Sequence, residues 1–119
     1  MLKQAVPILR MFDEQAAIDF YVGYLGFEVD WEHRFEADFP LYMQVSLGEL
    51  TIHLSGHHGD CTPGSALRIE TADLSGLHAK LTGKPYRYAR PQIETTSWET
   101  REMKLTDPSG NRLIFYEEL

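Results

Sequence analysis

The chain carries the same order of secondary-structure signals twice, and this internal repeat is the strongest limit on its fold. In each half a short apolar run is followed by an aspartate, Asp13 or Asp73, and then by apolar residues at helical spacing. An aspartate there can cap the free amides of a first helical turn, and a glycine, Gly26 or Gly83, follows each helical pattern. Several strand-like runs complete each half. The pattern predicts a duplicated βαβββ unit.

The repeat predicts one α+β domain over residues 1–119, with modules at about 1–60 and 61–119. A chain of 119 residues with 43% hydrophobic content is expected to form one compact domain. The helices can cover only one face of the predicted strands. The other face is therefore expected to line a concave site or to meet a second subunit.

Particular expectations concern individual strands. Residues 27–36 alternate apolar and charged side chains without a break, which favours the core-facing side for Trp31, with a place in the wall of a concave site as the alternative. In the second half, residues 85–90 are predicted to form a strand and residues 91–99 a polar connection. Pro7 cannot donate to a ladder, so the first strand is expected to have a free side or a bulge.

Composition limits the partners and the compartment. The chain has 18 acidic and 11 basic side chains and a net charge of −7, which argues against nucleic acid and anionic membranes. This acidity suits a cationic ligand, although an acidic surface also serves solubility alone. No stretch predicts a signal peptide or a bilayer span, and the single Cys61 permits no intrachain disulfide. A cytoplasmic location is therefore expected.

Residues 5–29 resemble the first module of the vicinal oxygen chelate superfamily, and the ending "LTDPSGNRLIFYEE" resembles its closing hairpin. The superfamily includes glyoxalase I, ring-cleaving dioxygenases and bleomycin resistance proteins, and the resemblance spans the whole chain. It implies that two βαβββ modules form a cupped eight-stranded mixed sheet, in a domain-swapped homodimer. It also implies that Leu113 and Phe115 pack against a helix while Ile114 and Tyr116 face the cup.

The superfamily's enzymes hold a divalent metal with His, Gln or Glu side chains on four strands. Carried over one at a time, these positions fall on Val6, His53, Ala66 and Ile114. Three of these side chains are hydrocarbons, and an open metal site needs about three protein ligands. The resemblance therefore implies no metal of the superfamily type, no cofactor and no catalytic residue. The loop that carries His57 and His58 is expected to be solvated, with adventitious zinc binding as the alternative.

A metal-free cup rich in aromatic residues resembles that of the bleomycin resistance proteins, which bind and sequester their ligands. In that subgroup a tryptophan stacks on ligand rings at the interval before the closing turn that Trp98 has here. Strand alternation turns His53 away from the apolar side of its strand, toward the cup. The predicted ligand-binding residues are His53, Trp98, Phe35, Phe39, Tyr42, Glu102, Ile114 and Tyr116.

The favoured function is binding and sequestration of a small, antibiotic-type, bleomycin-like molecule without metal chemistry. We expect this ligand to be aromatic or cationic. Gly64 and Ser65 stand where the subgroup has a second aromatic residue, which favours another flat or cationic molecule over bleomycin itself. The alternative is a metal-dependent glyoxalase-like lyase, isomerase or thiol transferase with an atypical site. A scaffold that has lost its ligand is the third possibility.

Overall fold

The computed structural model describes residues 1–119, and both halves have the predicted order of elements. The N-terminal half contains β1 (Ile8–Arg10), α1 (Glu14–Ile18) with a π-helical continuation (Asp19–Tyr24), β2 (Glu28–His33), β3 (Tyr42–Leu47) and β4 (Leu50–Ser55). The C-terminal half contains β5 (Ala66–Glu70), α2 (Leu74–Thr82), β6 (Ile93–Thr95), β7 (Thr100–Thr106) and β8 (Arg112–Glu118). The predicted α+β class and the duplicated βαβββ order are confirmed.

The strands form two four-stranded mixed sheets with the same topology, in the orders β1-β4-β3-β2 and β5-β8-β7-β6. In each sheet the first strand lies parallel to the last one, and the other pairs are antiparallel. As Pro7 predicts, β1 is an edge strand, and the carbonyl of Pro7 accepts a bond from the amide of His53 at 3.0 Å. The first sheet is called the N-terminal sheet below, and the second the C-terminal sheet.

One hydrophobic core joins the two modules. Alternate side chains on one face of each sheet enter it, such as Met43 and Ile52 from the N-terminal sheet. Leu113 and Phe115 enter it from β8, and α2 packs over β7 and β8. The predicted burial of these two residues is confirmed. Because the core takes only one face of each sheet, the opposite faces remain available for another role.

Both helices begin at the predicted aspartates. The carboxylate of Asp13 accepts a bond from the amide of Ala16 at 2.9 Å, and that of Asp73 from the amide of Gly76 at 3.0 Å. These bonds satisfy amides that have no partner inside a first helical turn. No helix of the structure has both the length and the apolar character needed to cross a membrane.

The π-helical continuation of α1 brings large rings into the core. Its wider turns are shown by the bond from the amide of Leu25 to the carbonyl of Phe20, at 2.9 Å. The rings of Phe20, Tyr21 and Tyr24 are all buried. Gly26 then ends the segment with φ at 88°, a conformation that costs glycine little.

The sixth strand does not lie where the sequence predicts it. Residues 85–90, predicted as a strand, form turns, and β6 lies inside residues 91–99, predicted as a connection. The ring of Tyr86 stacks on that of Tyr24 with centroids 4.5 Å apart, which draws this segment onto the helix. Packing against a distant ring therefore overrides the local alternation.

The unbroken alternation predicted for residues 27–36 is also wrong, because β2 contains a bulge. Val29 pairs with Val45, but Trp31 pairs with Gln44, so two steps along β2 correspond to one step along β3. Asp30 is the extra residue, and it moves the side chains that follow to the opposite face. Trp31 accordingly lies outside the core, with 42% of the residue exposed.

A buried carboxylate connects the modules at the turn between β7 and β8. Asp107 accepts a bond from the hydroxyl of Tyr21 at 2.6 Å and from the side-chain amide of Asn111 at 2.9 Å. The same amide group donates to the carbonyl of Arg10 at 2.8 Å. Burial, together with the negative Asp107 beside it, strongly raises the pKa of Tyr21 and keeps its hydroxyl a donor.

Replacing Tyr21 with phenylalanine tests this junction. We expect Tyr21→Phe to lower the free energy of unfolding by about 2 kcal/mol, because a buried carboxylate loses a donor. Tyr88→Phe is the matched control, since the Tyr88 hydroxyl bonds only Arg87 on an exposed surface and its loss changes little. Urea denaturation measures both values, and equal stabilities for the two variants would contradict the assignment.

Candidate functional site

Aromatic and polar side chains share the face of the N-terminal sheet that points away from the core. Gln44 lies between Trp31 and His53 on adjacent strands, and Tyr42 lies on the same side of β3. The Trp31 ring stacks on that of Tyr42, with centroids 5.9 Å apart and planes 11° apart. The edge of His53 meets Trp31 at 5.2 Å. These four residues are called the N-terminal face.

A chain of hydrogen bonds crosses this face. The Tyr42 hydroxyl lies 2.7 Å from Nδ1 of His53, and Nε2 of His53 lies 2.9 Å from Oε1 of Gln44. The amide nitrogen of Gln44 donates to the Asp30 carboxylate at 2.9 Å. Burial, with smaller effects from nearby Asp60 and Cys61, raises the pKa of Tyr42. Tyr42 therefore remains a neutral phenol.

The two phenylalanines predicted for the site lie in the loop between β2 and β3. Phe35 is 72% exposed, and its ring meets His33 at 4.8 Å and His57 at 6.0 Å. It therefore extends the edge of the N-terminal face. Phe39 is also exposed, and its backbone is held by a bond from Arg34 to its carbonyl and one from its amide to the carbonyl of Glu36. The structure does not bring the Phe39 ring into the aromatic cluster.

The corresponding face of the C-terminal sheet is built around Glu102. This residue is 3% exposed, and its Oε2 accepts bonds from Arg68 at 3.1 Å, Thr100 at 2.8 Å and Trp98 at 3.1 Å. The bond from Arg68 is the main cause that lowers the pKa of Glu102, with help from Thr100 and Trp98 against the opposing effect of burial. Glu102 is thus a paired carboxylate, so it holds other side chains in place and presents no free charge.

The predicted residues of β8 complete this surface. The Arg68 guanidinium lies over the Tyr116 ring, 4.4 Å from its centroid. Tyr116 also pairs with Glu102 on the neighbouring strand β7. Ile114 lies beside Arg68 in the register of β5 and β8. Arg68, Trp98, Glu102, Ile114 and Tyr116 are called the C-terminal face.

Although Trp98 lies in a turn, a hydrogen bond fixes the direction of its side chain. Trp98 lies at the tip of the β6–β7 hairpin, where the amide of Thr96 bonds the carbonyl of Thr100 at 2.8 Å. Its indole N–H is bound to Glu102, yet 62% of the residue is exposed. A ring that is fixed in direction and open to solvent is suited to stacking on a flat molecule.

The side chains do not fit a metal of the superfamily type. Val6, Ala66 and Ile114 offer no donor atom. Both ring nitrogens of His53 are engaged, one with Tyr42 and the other with Gln44. Nowhere do three or more His, Cys, Asp or Glu side chains group in a way that could hold a metal ion. These positions therefore lack the donor set that a metal of that type needs.

In a single chain the two faces are open surfaces. Cavities of about 450 Å³ and 840 Å³ lie elsewhere, around Tyr86. They are lined by α2, the turns that follow it, the helical segment of the N-terminal half and the β7–β8 turn, and by no residue of either face.

Four residues of this arrangement are absent from the predicted site: Trp31, Asp30 and Gln44 near the N-terminal face, and Arg68 on the C-terminal face. The alternation favours the core side for Trp31, because the bulge at Asp30 is not visible in it. Asp30 itself looks like any charged strand residue. Gln44 could have been found, because it alternates with the buried Met43 and Val45 on β3 and so shares the side of Tyr42.

The family model described as "Glyoxalase superfamily protein" matches residues 1–119. No curated protein matches the sequence at a significant level.

Solved structures of the same fold include two bleomycin-binding proteins. A bleomycin-binding protein from bleomycin-producing Streptomyces verticillus, complexed with copper(II)-bleomycin, has 31% identity and a TM-score of 0.67, with 97% of each chain covered. A bleomycin-binding protein complexed with bleomycin has 21% identity and a TM-score of 0.73, covering 99% of this chain and all of that one. A glyoxalase-related enzyme from Clostridium phytofermentans has 18% identity and a TM-score of 0.75, covering 100% of this chain and 97% of that one.

The paired carboxylate of Glu102 makes stability depend on pH in a defined direction. The ionised Glu102 contributes fully to the free energy of unfolding at pH values above the pKa of a glutamate in the unfolded chain, about 4.3. Because its pKa in the folded protein is lower, this contribution is lost as the pH falls through that lower value. We expect Glu102→Gln to be less stable than wild type at neutral pH, with the difference shrinking below about pH 4. Urea titrations at several pH values measure this change.

Glu94→Gln is the control for this measurement. Glu94 lies opposite Glu102 on β6, but its side chain is exposed. Its substitution is expected to leave the pH profile of stability close to wild type. Parallel profiles for the two variants would show that Glu102 has no special role.

Proposed function

This chain belongs to the glyoxalase superfamily, and from its two faces we propose that it binds and sequesters a small flat molecule without metal chemistry. The observation that carries this proposal is the geometry of Trp98, whose N–H is bound to a buried carboxylate while its ring stays exposed. Fixing a ring before binding reduces the entropy lost when a ligand stacks on it. Trp31, stacked on Tyr42, provides a second such ring.

The ligand that best fits these surfaces is aromatic and cationic. Flat rings stack on tryptophan, and a net charge of −7 favours the approach of a cation. Structures of similar fold are of bleomycin-binding proteins, one of them 31% identical to this chain. We propose an antibiotic-type ligand of this kind, and bleomycin is the first probe to test.

A homodimer would convert the two open faces into closed grooves. We propose that the N-terminal face of one chain covers the C-terminal face of its partner, which gives two equal grooves related by a two-fold axis. Apolar rings left exposed on both faces support this assembly. We further propose a cytoplasmic location, since the single Cys61 suits a reducing compartment.

Truncating Trp98 tests ligand binding. We expect Trp98→Ala to weaken the binding of metal-free bleomycin by about 1–3 kcal/mol, because a stacking surface at the groove is removed. Trp98→Ala should still fold, with only a modest fall in melting temperature, because Trp98 is outside the core and Glu102 keeps its bonds from Arg68 and Thr100. Tyr88→Ala is the matched control, since Tyr88 is equally open but belongs to neither face. Isothermal titration calorimetry measures the affinities.

The same titration can refute the proposal. Unchanged affinity in Trp98→Ala would remove Trp98 from the site. Loss of folding in that variant would show a structural role. Wild-type protein that binds neither bleomycin nor any flat cation of a screening set would contradict the binding function.

A pair of variants tests whether each groove is shared between two chains. In a dimer of one Trp31→Ala chain and one Trp98→Ala chain, a shared groove has both tryptophans on one side of the axis and neither on the other. We therefore expect this mixed dimer, purified with two different tags, to regain wild-type affinity at half the wild-type stoichiometry. Each variant alone should bind weakly at every site.

The opposing outcomes are clear. If each chain formed its own groove, no groove of the mixed dimer would hold both tryptophans, and the affinity would stay low. A monomer mass by light scattering across micromolar concentrations would contradict the dimer directly.

A further inference from the structure

The hydrogen bonds of the N-terminal face run in one direction, and Asp30 sets that direction. A carboxylate can only accept, so the part of Gln44 that lies 2.9 Å from Asp30 must be its amide nitrogen. Gln44 then turns its Oε1 toward Nε2 of His53, at 2.9 Å. Because this oxygen also only accepts, Nε2 must carry the hydrogen of the neutral imidazole.

The hydrogen position on His53 determines which group donates in its bond with Tyr42. With its hydrogen on Nε2, His53 has an acceptor at Nδ1, and the Tyr42 hydroxyl at 2.7 Å must donate to it. The lone pairs of the Tyr42 oxygen are then left to accept another bond. The reverse direction would place Oε1 of Gln44 against the carboxylate of Asp30, which brings two acceptors into contact.

We propose that Asp30, acting through Gln44 and His53, makes Tyr42 a hydrogen-bond acceptor toward the ligand and so selects flat cations that carry N–H donors. This inference rests on the proposed function, because it assigns ligand selectivity to the same groove. Asp30 is a positioning residue, held at the β2 bulge by bonds from Gln44 and from Ser46 at 3.0 Å. The ring of Trp31 beside Tyr42 supplies the stacking surface.

The hydrogen position on His53 is a direct readout that needs no ligand. Long-range proton–nitrogen NMR correlations distinguish the two neutral tautomers of a histidine ring, and we expect the Nε2–H form in wild type. Asp30→Lys replaces an acceptor with a donor, so Gln44 should turn over and His53 should shift to the Nδ1–H form. Asp30→Asn should keep the Nε2–H form, because its amide oxygen still accepts from Gln44.

Glu32→Lys is the matched control for the charge change. Glu32 lies on the same strand but opposite Met43, on the other side of β2 from the bonded chain. Like Asp30→Lys, Glu32→Lys replaces a carboxylate with an ammonium group, but Glu32 does not contact Gln44. The His53 tautomer should therefore stay as in wild type.

Two probes of equal charge test the selectivity. Protonated 4-aminoquinoline and 1-methylquinolinium are both flat two-ring cations, but only the first has N–H donors. We expect wild type and Glu32→Lys to prefer 4-aminoquinoline by about two- to tenfold, as one hydrogen bond allows. Asp30→Lys should lose this preference, because the Tyr42 hydrogen then points toward the ligand.

The tautomer and the ligand preference each test the proposed role of Asp30, and neither decides the binding function. An Nδ1–H tautomer in wild type, or an unchanged tautomer in Asp30→Lys, overturns the directed chain. The same preference in Asp30→Lys as in wild type, or no preference in wild type, overturns the selectivity. Failure of wild type to bind either quinoline also overturns it, while the bleomycin titration still decides the binding function.

Discussion

The buried carboxylate of Asp107 determines how the two modules fit together. Its Oδ1 accepts from the amides of Ser109 and Asn111, both at 2.9 Å, which closes the β7–β8 turn. Its Oδ2 accepts from Tyr21 on the helical segment of the other module. Leaving such a carboxylate without donors would be costly, so the turn and the helix must assemble together. This junction therefore joins the two modules beside the hydrophobic core that they share.

Each face uses a carboxylate in the same way, to fix a ring. On the C-terminal face Glu102 binds the Trp98 indole directly. On the N-terminal face Asp30 acts through intermediate side chains on Tyr42, against which Trp31 stacks. In both cases the negative charge is satisfied within the chain. The faces therefore offer rings and directed acceptors, and the acidic net charge acts over a longer range.

Local rules predicted much of the fold and part of the site. Period-two alternation placed His53 away from the apolar side of its strand, because this period is a property of any strand, and the family resemblance supplied the outward face of Tyr116. The bulge that exposes Trp31 depends on the partner strand, and the position of β6 depends on Tyr86 stacking on Tyr24. Neither contact is local, so alternation could not reveal them. The same limit explains why Asp30 was missed.

His53 is the one side chain at the four carried-over positions that could bind a metal ion. A lone histidine with a free nitrogen could still join a weak metal site, but here each nitrogen already has a protein partner. Freeing Nε2 would leave Gln44 without its donor and break the connection to Asp30. The bonded chain therefore opposes metal binding and directs Tyr42 at the same time. Selectivity in such a groove would come from the direction of hydrogen bonds rather than from a bound ion.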